Sequence, residues 1–180
     1  MPAANVLFCD VGGVLLTNGW DRPARRRAAE VFRLDWEAFE QRHEVVAADF
    51  ETGRLTLDEY LDYTAFDQRR AFTRQQFREF MLAQSEPCSA ALAVVEKLAS
   101  GQRCLMATLN NESLELNHYR IERFRLRDYF DLFFSSCYLG LRKPDQRLYR
   151  LVLQLTQRRG EECLFIDDRE LNLQWAERAG

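Results

Sequence analysis

The chain has 180 residues, enough for one domain with a substantial buried core and room for an insertion. Its formal net charge is −3, which points away from a nucleic-acid surface and from a polybasic membrane anchor. No apolar stretch approaches the ~20 residues a membrane span needs, and the first apolar run begins too close to Met1 to leave room for a signal peptide.

That run, Val6-Leu7-Phe8-Cys9, ends at Asp10 and passes into Val11-Gly12-Gly13, the pattern of a buried parallel strand closed by a turn. From about Leu16 to Glu86 the periodicity is helical, with no convincing strand. Asp35-Trp36 opens a helix running to Phe50, and Gly53 supplies its stop. Thr56-Leu57-Asp58-Glu59 and Thr73-Arg74-Gln75-Gln76 are capping-box starts for two more. Arg22, Arg25, Arg26 and Arg27 read as a solvated helix face, and Asn18 and Trp20 stand where the chain enters this helical region. Strand–helix alternation then resumes: a helix from Ser89 to Ala99, strands over 102–108, 131–136 and 163–167, and between the last two a helix from Gln146 to Gln157 with Leu148, Tyr149, Leu151, Val152 and Leu155 on one face. The chain closes with a helix from Glu170 to Arg178. Alternation of this kind argues for a parallel sheet covered on both sides.

Five cysteines lie singly at positions 9, 88, 104, 137 and 163, without CxxC spacing. An odd count, partly inside predicted strands, favours a reducing cytoplasm over a disulfide framework. His43 and His118 are isolated on predicted helices.

The chemistry-bearing residues gather at strand ends. Asp10 ends the first strand, Lys143-Pro144-Asp145 follows a Gly140-containing loop, and Asp167-Asp168 ends the last apolar run. Open α/β sheets place ligands at the carboxyl ends of their strands. A carboxylate, an ammonium and a paired carboxylate in those places form the kit of a metal-assisted aspartyl nucleophile. Asp145 reads as the N-cap of the helix that follows it.

In order and chemistry, these segments resemble the haloacid dehalogenase-like hydrolase superfamily over essentially the whole chain. Asp10-x-Gly12-Gly13-Val14-Leu15 is similar to the first motif of subfamily I, Lys143-Pro144-Asp145 to the third, and Phe165-Ile166-Asp167-Asp168-Arg169-x-x-Asn172 to the fourth. The resemblance implies a three-layer, Rossmann-like α/β core from residues 1–15 and 87–180, with an all-helical cap inserted over 16–86. It further implies that Asp10 attacks phosphorus, that Lys143 neutralises the transferring group, and that Mg²⁺ is held by Asp10, the Gly12 carbonyl and Asp168, with Asp167 beside them. The substrate so implied is a small phosphorylated metabolite. The second motif fits less well. The family ends its second strand with a Ser or Thr, usually followed by Asn. Here Ala107-Thr108-Leu109-Asn110-Asn111 offers Thr108 one residue early, with Asn110 and Asn111 as amides to the phosphate.

Two features depart from the family. Gly12 replaces the aspartate that commonly serves as general acid and base, help worth about 10²–10⁴-fold. The sequence also stops at Gly180, where relatives usually continue into a fifth strand, so the strand carrying Asp167 is expected at a sheet edge in need of cover. The resemblance leaves three functions open: a Mg²⁺-dependent phosphohydrolase, a metal-independent 2-haloacid dehalogenase using the same aspartate, and an impaired homologue that only binds. Nothing in the sequence sets the oligomeric state.

Overall fold

The computed structural model describes residues 4–101 and 104–180. Among them, parallel strands β1 (Val6–Cys9), β2 (Leu105–Asn110), β3 (Leu132–Ser135) and β4 (Cys163–Ile166) form one sheet in the order β3-β2-β1-β4. β1 is central and all four of its residues are buried. Its side chains alternate between two cores. Leu7 and Cys9 pack with Val95, Met106 and Ile121 on one face, whereas Val6 and Phe8 pack with Leu148, Tyr149 and Val152 on the other. Helices α5 (Ser89–Ser100) and α6 (Leu114–Arg123) cover the first face, and α8 (Gln146–Thr156) and α9 (Glu170–Glu177) the second. The result is a three-layer α/β Rossmann-like fold. A short helix α7 (Ser136–Leu139) follows β3 directly.

The second strand departs from its expected span. Residues 102 and 103 lie outside the described residues, and β2 runs on to Asn110 because its pairing with β3 extends to Asn110↔Ser135.

Between β1 and α5 come four helices: α1 (Arg22–Phe32), α2 (Trp36–Glu51), α3 (Leu57–Thr64) and α4 (Arg74–Ala83). The two capping boxes form as expected, at Thr56–Glu59 and Thr73–Gln76, and Asp35 caps α2. These helices have a core of their own around Phe39, Phe50, Tyr60, Leu61, Phe77 and Met81. The chain leaves the sheet and returns to it through adjacent strands: Thr17 N–H donates to Glu86 O (2.9 Å), and Cys88 N–H to Leu15 O (2.8 Å).

One residue of α6 binds both crossings. Arg120 Nε donates to Ser85 Oγ (3.1 Å), Nη2 to Thr17 O (3.1 Å), and Nη1 pairs with Glu112 Oε2 (2.7 Å). Gly19 makes room for it, since a Cβ there would lie 1.8 Å from Nη2. Arg22, Arg26 and Arg27 of α1 are exposed, as expected of a solvated face, and Arg25 is the exception. Arg25 is buried, its guanidinium paired with Glu40 through two 2.8 Å contacts and donating to Trp20 O at 2.8 Å. Among the described residues no helix is long and apolar enough to cross a membrane.

Candidate active site

Asp10 begins where β1 ends. Its N–H donates to Ile166 O (2.8 Å), which carries the β1–β4 pairing one step beyond the strands and fixes the carboxylate at their carboxyl edge. Oδ1 accepts from Val11 N–H (2.8 Å), and Oδ2 lies 2.9 Å from Lys143 Nζ. The side chain is buried at the base of a cavity of about 470 Å³ lined by Gly12, Trp20, Glu112, Lys143 and Arg169 among others. Burial, reinforced by the charge of Asp167, raises the Asp10 carboxyl to about 6 despite the nearby ammonium. Near pH 7 it is predominantly ionised.

Lys143 is itself buried, with its ammonium between two carboxylates: Asp10, and Asp167 Oδ2 at 2.5 Å. Its main chain is clamped by Asn111, whose Oδ1 accepts from Lys143 N–H (2.8 Å) and whose Nδ2 donates to Lys143 O (2.9 Å). Asp145 caps α8 as expected, accepting from Arg147 N–H at 2.9 Å.

Asp167 Oδ1 accepts from Arg169 N–H and from Asn172 Nδ2, both at 2.9 Å. With Oδ2 on Lys143, Asp167 holds the lysine in place while remaining part of the acidic cluster. Asp168 is exposed, and oxygens of Asp10, Asp167 and Asp168 lie within 4.8 Å of one another. No donor among the described residues engages the Gly12 carbonyl. Gly13 shapes the same corner: its φ is +79°, and a Cβ there would stand 2.1 Å from Asp168 Oδ2. The positive φ belongs to Gly13 and not to Gly12, where a Cβ would meet Asn18 Oδ1 at a tight 3.3 Å, Asn18 Cα at 3.5 Å and Arg120 Nη1 at 3.6 Å.

The expected phosphate-binding residues are dispersed. Thr108 pairs with Cys9, one residue short of Asp10, and its buried hydroxyl has no partner among the described residues. Asn110 turns inward, donating to Asn117 Oδ1 (3.2 Å) and accepting from Ser135 Oγ (2.9 Å), because a strand residue beyond Thr108 is drawn into the β2–β3 pairing. Neither lines the cavity; Asn111 does, as the clamp on Lys143.

Other cavity residues went unread in the sequence. Glu112 is buried between Arg120 and Ser113 N–H, and burial raises its carboxyl to about 7. Ser113 Oγ is buried at the cap of α6 with no hydrogen-bond partner among the described residues. Asn172 stood in the fourth motif, but its spacing gave no sign that it would brace Asp167. Asn18 and Trp20 do line the cavity, with His43 beside them.

An acidic cluster and a buried lysine thus meet at the carboxyl ends of a parallel sheet, where open α/β folds place their ligands. The chain belongs to the haloacid dehalogenase-like hydrolases, whose family model matches residues 4–180. It superimposes on a HAD family enzyme of Bacteroides thetaiotaomicron with a TM-score of 0.83 at 21% identity, covering 99% of this chain and 91% of that one. The same enzyme is known in complex with magnesium and inorganic phosphate. A dehalogenase superimposes with a TM-score of 0.70 at 19% identity, covering 100% of this chain and 83% of that one. A segment of 43 residues is 40% identical to bifunctional epoxide hydrolase 2 of Sus scrofa, covering 24% of this chain and 8% of that protein.

Proposed function

We propose that the protein is a Mg²⁺-dependent phosphohydrolase that acts on a small phosphorylated metabolite through an aspartyl-phosphate on Asp10. The observation that carries this reading is the pairing of Asp10 with Lys143 beside Asp168, at the base of one cavity. The donor set suits a hard cation: Asp10 and Asp168 offer carboxylate oxygens, the Gly12 carbonyl is unengaged, and Gly13 leaves space for Asp168. Bound Mg²⁺ would screen the repulsion between a carboxylate and a phosphate dianion.

The chain's own residues do the rest. Val11 N–H and Lys143 orient the Asp10 carboxylate, and Asp167 and Asn111 fix Lys143 from its side chain and main chain. Asp10 attacks phosphorus, a P–O bond forms, and the bond to the leaving oxygen breaks. Water then attacks the aspartyl-phosphate, releasing phosphate and restoring the carboxylate. Lys143 faces the transferring group beside Asp10 and supplies a positive charge there. Helices α1–α4 act as a cap over residues 16–86, enclosing the leaving group.

A metal-free dehalogenase would have little use for a further exposed carboxylate, Asp168, beside the nucleophile, and this favours the phosphatase reading. The test is turnover of p-nitrophenyl phosphate with and without EDTA, run beside halide release from 2-chloropropionate. Mg²⁺-dependent phosphate release is expected. Halide release unaffected by EDTA would overturn the reading, and inactivity in both assays would leave a binding protein.

A further inference from the structure

Trp20 and His43, which line the cavity, are joined through Tyr60 by a hydrogen-bond chain that the hydrolytic chemistry does not use. Trp20 Nε1–H donates to Tyr60 Oη (2.8 Å), and Tyr60 Oη lies 2.9 Å from His43 Nδ1. Tyr60 is wholly buried, stacked on Phe50 with ring centroids 4.1 Å apart. Its hydroxyl has one proton and two hydrogen-bond neighbours in this chain. The indole can only donate, and the nearby Thr64 hydroxyl gives its own proton to Tyr60 O at 2.8 Å and makes no hydrogen bond to Tyr60 Oη, so the short contact gives the tyrosine proton to His43 Nδ1. Nδ1 is therefore the acceptor, and the ring carries its proton on Nε2.

The ring is also held uncharged. It is largely buried and faces the Arg25 guanidinium, and together these pull its pKa down to about 4 against the opposing charge of Glu40. Arg25 is in turn locked to Glu40 and to the Trp20 carbonyl, so the wall is rigid on both sides of the histidine. No other group among the described residues hydrogen-bonds to the ring, and His43 lines the cavity with Trp20, Ala47 and Phe50.

We propose that His43 is a specificity residue: a fixed, uncharged Nε2–H donor that recognises an uncharged oxygen on the leaving group, with its tautomer set by the Trp20–Tyr60–His43 chain. The substrate class is a phosphomonoester whose alcohol carries at least one further hydroxyl, the aromatic wall covering its carbon face. This rests on the phosphohydrolase reading above.

Two measurements test it on the full-length protein. In ¹⁵N-imidazole spectra, assigned by loss of the signal in His43→Gln, His43 should show the Nε2–H pattern, and Tyr60→Phe should mix the tautomers. Titrating glycerol 1-phosphate with Mg²⁺ should shift the Nε2 resonance, whereas phenyl phosphate should not. In kinetics, His43→Phe should lower kcat/KM for glycerol and hexose phosphates about 3- to 10-fold, the range for one neutral hydrogen bond, and leave phenyl phosphate within twofold. His43→Gln, which keeps an N–H donor, should recover part of the loss. An Nδ1–H pattern, or equal losses on both substrate types, would overturn the proposal. If the unaltered protein fails to hydrolyse phenyl phosphate, the phosphohydrolase reading falls; the ¹⁵N pattern and the glycerol phosphate shift then decide the donor separately.

Discussion

Replacing Gly13 by alanine separates the metal corner from the rest of the fold. The new methyl would stand 2.1 Å from Oδ2 and 2.4 Å from Cγ of Asp168, where ordinary carbon contacts begin near ~3.5 Å. The carboxylate must therefore retreat by about 1 Å or more. Asp168 is exposed, so it can swing into solvent at little cost to the fold. The backbone cost is that of an alanine at φ +79°, about 1–2 kcal/mol, which for a chain of this size lowers Tm by about 2–8 °C. Mg²⁺ binds oxygen at ~2.0–2.1 Å with little tolerance, so losing one carboxylate should weaken its binding by about 10- to 100-fold, the range found when a metal ligand loses its support. Isothermal titration with MgCl₂ beside thermal melts measures both quantities. Asp168→Asn should reproduce the metal defect, and the double variant should lose little more. Native Mg²⁺ affinity in Gly13→Ala would refute the assignment of Asp168 and the argument built on Gly13.

Asp10→Asn should abolish phosphate release and, without Mg²⁺ at neutral pH, melt above the native temperature, since the amide keeps the shape, loses the nucleophile and removes a buried charge; turnover above background would remove Asp10 from its role. Lys143→Met leaves Asp10 and Asp167 together without their cation and should cost about 3–5 kcal/mol at neutral pH in urea unfolding, with part regained on adding Mg²⁺; unchanged stability would contradict the ion-pair geometry. Without Mg²⁺, the folded chain keeps on Asp10 a proton that the unfolded chain loses near pH 4, because its carboxyl is raised from 3.8 to about 6. The Asp10 contribution to stability should therefore fall as pH rises through that window, by about 3 kcal/mol in total, and the pH slope should flatten in Asp10→Asn. With no acid at position 12, hydrolysis should depend steeply on leaving-group pKa, aryl phosphates outpacing simple alkyl phosphates. Gly12→Asp should fold, since its φ is not positive and its neighbours need yield only slightly. A flat leaving-group series would mean another group supplies the proton.

The parts of the site legible in the sequence are those written by strand ends. Asp10, Asp167 and Asp168 close apolar runs, and Lys143 stands two residues before the cap of α8, so local pattern places them. Asn110 was misplaced because strand length depends on a partner: β3 carries the pairing past Thr108 and turns the amide inward. Arg25 read as surface because its partner Glu40 sits on another helix, and a charge run says nothing about which member is paired. The Arg120–Glu112 pair and the Trp20–Tyr60–His43 chain join residues far apart in sequence, so no window of periodicity contains them.

The guanidinium of Arg120 has a mechanical consequence. It grips Thr17 on the outgoing crossing, Ser85 on the returning one and Glu112 beside the second strand, all within the space that Gly19 leaves open. Two connections tied to one point cannot slide past each other. The helical layer is also held at a second place, where Ser136 Oγ donates to Glu51 O (2.6 Å), Arg142 pairs with Glu51 Oε2 (2.7 Å) and Leu57 N–H donates to Glu115 Oε1 (2.8 Å), so an opening that keeps the Arg120 clamp must break this second set. Breaking it leaves Asp10 and Lys143 at their 2.9 Å spacing, because both are held by the sheet and its loops and by neither set of contacts.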